Sequence, residues 1–232
     1  MATLNKSILG KVSGTVGDIT FRQRKNKNII SVKPAHFIPG NDPDSIARRK
    51  KFAMATKLAK AIYSLKEVKS LWEEETPSSM LPFNHVMQSN YAAIDDEELS
   101  ALVKLTPSQD FIASLVSSEI SAGRITVGIA PLGSNTGINP AEETTLQLLA
   151  VVYLNNPVDA SVEKNTFLQW ASEVQPLTLT EALNFSLQMS SVESQIIGKY
   201  HNQKLFVTVV TKDAAGNVVS CSNTCMNQKI VP

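Results

Sequence analysis

The rhythm of apolar positions divides the chain into three stretches. Between residues 10 and 34 the apolar residues come in short runs interrupted by glycine: Val12, Val16, Ile19 and Phe21 stand among Gly10, Gly14 and Gly17, and Ile29, Ile30 and Val32 follow. Glycine inside a strand marks a bulge, a bend or a close approach of another backbone. The segment therefore reads as a hairpin with a bent first strand. The connecting RQRKNKN contributes Asn26 and Asn28, a residue type that accepts the backbone angles of turns. Pro34 and Pro39 then end regular structure.

From residue 41 the period becomes helical. Asp42 is a good N-cap and Pro43 a good first helical residue, after which Ile46, Met54, Leu58, Ile62 and Leu65 fall on one side at helical spacing. Residues 67–75 read as a second short helix or a bent end of the first, and TPSSMLP breaks it. Residues 82–94 read as a helix opened by Pro82, with a further turn over 95–104. Beyond about 108 the texture is β. The segments 111–118, 124–132, 145–154, 165–171, 177–188, 204–212 and 217–221 are rich in Thr, Val, Leu and aromatic residues, and Gly, Asn, Pro and Ser clusters separate them. Seven short strands at this spacing predict a two-sheet antiparallel fold rather than parallel β/α units. The expectation is an α+β protein: an N-terminal β-hairpin arm (1–40), a helical region (41–107) and an immunoglobulin-like antiparallel β-sandwich (108–232).

Charge changes this picture more than composition does. The net charge is only +1, yet residues 1–69 hold 15 Lys and Arg against 4 acids, a balance of +11, and residues 70–232 hold 7 against 17, a balance of −10. Such a dipole along one chain implies an anionic partner at one end, or copies meeting positive end to negative end. No uninterrupted apolar run approaches the roughly 18 residues needed to cross a bilayer, so no membrane association is expected. The opening MATLNKSILGKVSG lacks the apolar core of a secretory signal, so export by that route is not expected either. Cys221 and Cys225 are too few for a disulfide framework and have no partner pair for a zinc site. They read as reduced thiols.

The candidate chemistry is thin. A phosphate-binding loop places Lys and then Ser or Thr after its last glycine. Here Lys11 follows the first glycine and Asp18 the last, and a carboxylate at that point repels phosphate. The spacing of Gly10, Gly14 and Gly17 also misses the dinucleotide pattern, and no cofactor is expected. His36, His85 and His201 lie in three different segments, none at metal-ligand spacing from another ligand type, and no G-x-S-x-G elbow occurs. The pairs Asp95–Asp96 and Glu97–Glu98 fall at an expected helix start, where acids favour the helix dipole. The chain thus reads as non-enzymatic. What remains is a basic patch, with Arg22, Arg24, Lys25 and Lys27 at the hairpin tip and Arg48, Arg49, Lys50 and Lys51 on the first helix. These residues suit phosphates or an acidic protein partner. Only Phe21 and Phe37 lie near them, so base stacking of the single-strand type is not indicated.

The succession ILGKVSGTVGDITFRQRKNKNIISVKP, NDPDSIARRKKFAMATKLAKAI and LPFNHVMQSN resembles a group of Bacteroidetes-associated proteins with a glycine-spaced N-terminal hairpin. It is also similar to virion proteins of crAss-like tailed phages, the ring proteins of the tail barrel among them. The matched motifs cover roughly the first 95 residues. The resemblance implies an assembly part: a homo-oligomeric ring in the neck or tail of a virion, next to other tail or portal proteins and near packaged DNA. Gly10, Gly14, Gly17 and Phe21 would then belong to an assembly arm. Two other readings stay open, a sequence-independent nucleic-acid-binding module and a bacterial β-sandwich protein that binds a protein or glycan.

Overall fold

The computed structural model describes residues 2–4, 13–24, 27–33, 39–121, 123–133 and 137–230. Gly10, Lys25, Asn26 and His36 lie outside them. The chain falls into two compact units, Met1–Ile46 and Ala47–Pro232.

The first unit is a four-stranded antiparallel sheet of β1 (Ala2–Leu4), β2 (Gly14–Val16), β3 (Ile19–Arg24) and β4 (Lys27–Val32), in the order β1-β4-β3-β2. The bent first strand expected from the glycines is two strands. Val16 pairs with Ile19 across a two-residue turn, Gly17–Asp18, in which Gly17 has a φ of 56°. A left-handed backbone closes hairpins of this length and suits glycine. Gly14 has a φ of 120°, again open chiefly to glycine. A Cβ added at either glycine would meet nothing within 4 Å in this chain, so backbone angle, not crowding within the chain, accounts for both.

The second unit starts within α1 (Pro43–Ser64) and continues with α2 (Lys66–Glu75) and α3 (Pro82–Asn90). The expected cap of α1 is present: the Ser45 amide donates to Asp42 Oδ1 at 2.9 Å. Leu65, in an extended conformation with ψ 114°, separates α1 from α2. The further helical turn expected over 95–104 is instead a tight hairpin of β5 (Ile94–Asp95) and β6 (Glu98–Leu99). Asp96 and Glu97 at its tip both have positive φ, 39° and 65°. Such a turn is ordinarily built with Asn-Gly, so two acids there gave no turn signal.

The β half comprises β7 (Leu115–Ser121), β8 (Arg124–Ile129), β9 (Thr145–Pro157), β10 (Asn165–Ala171), β11 (Gln175–Pro176), β12 (Leu183–Gln188), α4 (Ser191–Ile197), β13 (Tyr200–Lys212), β14 (Val218–Cys221) and β15 (Cys225–Ile230). Helix α4 and strand β15 were not expected, and the strand placed at 111–118 begins only at Leu115. The strands form a six-stranded sheet, β10-β9-β13-β14 with β11 on β9 and β15 on β13, and a three-stranded sheet, β12-β8-β7. All pairings within both are antiparallel. The fold is α+β with an antiparallel β-sandwich.

Strands β9 and β13 show why the helices and the sandwich form one unit. Leu149, Val151 and Tyr153 of β9 and Phe206 and Val210 of β13 point to one side and share a core with Leu58, Ile62, Val68 and Trp72 of the helices. The alternate residues Leu148, Ala150, Val152 and Leu154, with Leu205, Val207 and Val209, share a second core with Ile125, Val127 and Ile129 of β8 and Phe185 of β12. The order of layers is helices, six-stranded sheet, three-stranded sheet. A strand covered on both faces loses its apolar alternation, which accounts for the unbroken apolar run LLAVVYL over 148–154.

Candidate functional site

The four-stranded sheet is amphipathic, and its register shows how. Residues paired across antiparallel strands share a face, and neighbours along a strand alternate. Ile19 pairs with Val16 on one side and Val32 on the other, so the three form one row, and Gly14, Phe21 and Ile30 form the next row on the same face. Thr15, Thr20 and Ser31 make a row on the opposite face, followed there by Arg22 with Ile29. The two threonine hydroxyls lie 3.4 Å apart. The apolar row is open: Val16 is 72%, Ile19 44% and Val32 75% exposed. Among the described residues of Met1–Ile46 none is buried. A small sheet needs an apolar face packed on something to be stable, and the described residues of this unit supply no buried core.

The eight basic positions divide between the two units, four in each, with Lys25 outside the described residues. Arg22 is exposed on the polar face of the sheet, and Arg24 pairs with Lys27 through the backbone at the end of the β3–β4 hairpin. Arg48 and Arg49 are exposed on α1. Lys50 and Lys51 of the helical run make contacts within the fold. Lys50 Nζ lies 3.7 Å from Glu97 Oε2, and Lys51 Nζ sits 4.9 Å from the centre of the Tyr91 ring, a cation–π contact. A patch of eight phosphate-seeking cations is thus reduced by internal contacts.

The acidic hairpin β5–β6 is the clasp those contacts close on. Glu97 takes ion pairs from Lys164 and Lys50. The Lys164 hydrogen bond leads among the influences that hold its carboxyl below the usual value, with burial opposing. The Tyr153 hydroxyl donates to the Glu97 carbonyl at 2.6 Å, and burial pushes that phenol well above its ordinary value. Lys204 Nζ donates to Glu98 Oε2 at 2.7 Å and to the Leu99 carbonyl at 2.8 Å. These carboxylates pin a turn onto the large sheet and are not paired with each other as an acid/base dyad would be.

The histidine at 85 is likewise absorbed by packing. Its ring meets Trp72 edge-on at 5.0 Å, and its Nδ1 lies 3.1 Å from Thr76 Oγ1. Among the described residues no group of three or more His, Cys, Asp or Glu is placed to hold a metal ion. Cys221 is buried and Cys225 half-buried, both as free thiols. Burial pushes the Cys221 thiol up to about 11.

One surface escaped the sequence reading. A groove of about 800 Å³ between α1 and α3 is lined by Phe52, Met87 and Tyr91, with Lys51, Asn84, Gln88 and Ala92 around them. Phe52 is 59% exposed. It interrupts the basic run RRKKFAM outside the Met54–Leu58–Ile62 stripe, and that off-stripe aromatic was the available signal.

No family model matches the chain, and no curated protein matches it. Among solved structures it is similar over part of its length to MtrC from Shewanella baltica OS185, at 10% identity and a TM-score of 0.29, covering 51% of this chain and 22% of that one. A beta-glucosidase from Kluyveromyces marxianus gives 9% identity and a TM-score of 0.20 over 52% of this chain and 15% of that one. A structure of CC2D1B gives 13% identity and a TM-score of 0.18 over 80% and 77%. The chain thus spans less than a quarter of the first two proteins, and likeness this slight carries no argument about what the molecule does.

Proposed function

We propose that the protein is a non-enzymatic structural component of a tailed-phage particle. It builds a homo-oligomeric ring in the neck or tail barrel, and its N-terminal sheet serves as the assembly arm. The observation that carries the assembly role is the open row Val16–Ile19–Val32 on a sheet in which none of the residues with described burial is buried. A surface of this kind is stabilised when another molecule covers it. Opposite charge at the two ends of the chain suits a contact in which one face of each copy meets a different face of the next, and rotation then closes the ring. The phage assignment rests on the resemblance of the first 95 residues and places the protein in the virion after synthesis in the host cytoplasm.

Electron microscopy of the purified full-length chain, alone and mixed with neck and tail proteins of the same particle, tests this reading. Closed rings or incorporation into particles are expected. A chain that stays monomeric and joins no particle would refute it.

A second reading has its own support. Arg22 lies on the face away from the apolar row, and Arg48 and Arg49 are exposed, so phosphate contact and assembly do not compete for the same side chains. Affinity for duplex DNA should then fall by orders of magnitude between about 50 and 200 mM salt. Absence of binding at the lower concentration removes this reading.

A further inference from the structure

Resting on the assembly reading for the rings it joins, we infer that the free edge of β10 pairs with β10 of a second copy, antiparallel and centred on Gln169, and so fastens one ring to another. Strand β10 ends the six-stranded sheet on one side, and its register on β9 runs unbroken from Asn165↔Asn155 to Ala171↔Leu149. Alternate residues of an antiparallel strand turn both backbone groups to the same neighbour. The Ser172 amide donates to the Leu148 carbonyl at 2.8 Å in that same register. Thr166, Leu168 and Trp170 therefore bond to β9, and Asn165, Phe167, Gln169 and Ala171 turn outward. Lys57 Nζ donates to the outward Asn165 carbonyl at 3.3 Å. Among the described residues nothing bonds to the outward amides and carbonyls of Phe167, Gln169 and Ala171.

Natural sheets blunt an edge with lysine, proline, a bulge or a covering group, and the other edges of the second unit have such devices. Residues 110–111 cover β14, the Asp110 amide donating to the Cys221 carbonyl at 2.8 Å and Phe111 bridging to Ser222. The register of β7 breaks between Leu115 and Ser117, and β15 carries Lys229, whose Nζ donates to the Ile120 carbonyl at 2.8 Å. The Asn184 carbonyl of β12 accepts from Gln175 Nε2 at 3.0 Å, and β11 holds Pro176. Strand β10, NTFLQWA, has no charge, proline or bulge, and Gln169 and Ala171 are exposed. A straight, uncharged edge of this kind is a template for another strand.

The symmetry of the open row selects a second copy as the occupant. A two-fold axis at Gln169 sets Gln169 opposite Gln169 and Phe167 opposite Ala171, so every open amide meets an open carbonyl. The strand has no charged side chain to repel its copy. Beside it Lys57 and Glu163 are paired with each other, and Lys60, which lines the same hollow, is exposed to solvent and screened there. One contact of seven residues a side is small and parts on dilution, so single copies stay separate. A ring offers the contact from every subunit and holds by multivalency.

Electron microscopy of the full-length chain should show rings joined in pairs. Gln169→Lys adds the charge that natural edges use and should leave single rings. Gln169 is exposed, so folding should survive, and circular dichroism checks it. Paired rings retained by Q169K, or single rings in the parent, overturn this inference and leave the assembly reading standing. Thiol trapping on the full-length chain at high concentration gives a readout that needs no ring. Opposed Cα atoms of a hydrogen-bonded antiparallel pair are about 5.5 Å apart, within disulfide reach, so Gln169→Cys under a mild oxidant should give a covalent dimer. Ala171→Cys should not, because its two copies lie about 13 Å apart along the strands. The parent, with Cys221 buried and Cys225 half-buried, should not either. A parent that forms no ring refutes the assembly reading, and the trap then decides this inference alone: a dimer from the first variant only supports it, and no dimer, or an equal dimer from Ala171→Cys, overturns it.

Discussion

Leu148 and Leu149 are consecutive residues of β9 and both are fully buried, yet they enter different cores. Leu149 packs with the helices and Leu148 with the three-stranded sheet. In a sandwich with one solvated face, one of two neighbours would be exposed and its truncation would cost within about half a kcal/mol. Here each truncation to alanine removes a fully buried side chain and leaves a hole, at about 2–5 kcal/mol apiece. With a urea slope of about 2 kcal/mol per molar, the midpoint should fall by about 1–2.5 M in each variant, measured by circular dichroism on the full-length chain. The slopes should stay near the parent's. A shift below about 0.3 M for either variant would show that one side of β9 is open, and the three-layer arrangement would fail.

Two further outcomes follow from the polar groups of the second unit. Cys221 is buried beneath the Ser108 carbonyl at 3.2 Å and its thiol is raised to about 11 by burial. In the native protein at about pH 8 it should resist a thiol reagent that modifies it promptly in denaturant; rapid native labelling mapped to Cys221 would contradict the packing. Glu97 is held below its ordinary carboxyl value, first through its hydrogen bond from Lys164. Its contribution is therefore complete above the unfolded carboxyl value, about 4.3, and is lost as pH falls through the lower folded value. Lys164→Met should cost stability at neutral pH and progressively less below about pH 4; a deficit that persists unchanged at pH 2–3 would separate the loss from this ion pair.

Legibility in the sequence followed the locality of the signal. The start of α1 was readable because Asp42 and Pro43 act on the next turn of chain alone. The apolar stripe from Met54 to Leu65 was readable because helical spacing places it on one face. Helix α4 carries a capping box at Ser190 and Glu193, with both reciprocal hydrogen bonds formed, but a single short helix among strands has too few turns for helical spacing to set it apart. The β5–β6 hairpin was hidden for the opposite reason. Its turn places Asp96 and Glu97 at positive φ, and what holds them is distant in sequence: Lys164, Tyr153 and Lys204. The third layer was written in 148–154 as an absence of alternation, which distinguishes a doubly covered strand only once a cover is identified. For the candidate site, the alternation of Val16, Ile19, Phe21, Ile30 and Val32 was visible. Its division into three strands depended on the Gly17–Asp18 turn, and the exposure of the row depends on the whole chain.

The claim at the centre is that the N-terminal sheet exists to be covered by another molecule. Residues 47–232 form a compact unit with two apolar cores of their own, and removal of residues 1–40 leaves the Asp42 cap of α1 in place. The most direct measurement is the mass in solution, by light scattering over a dilution series, of the full chain and of the chain lacking residues 1–40. The account predicts an oligomer for the first and a folded monomer for the second, with the helix and sheet signal of 47–232 retained. A truncated chain that keeps the parent's oligomeric mass would contradict it.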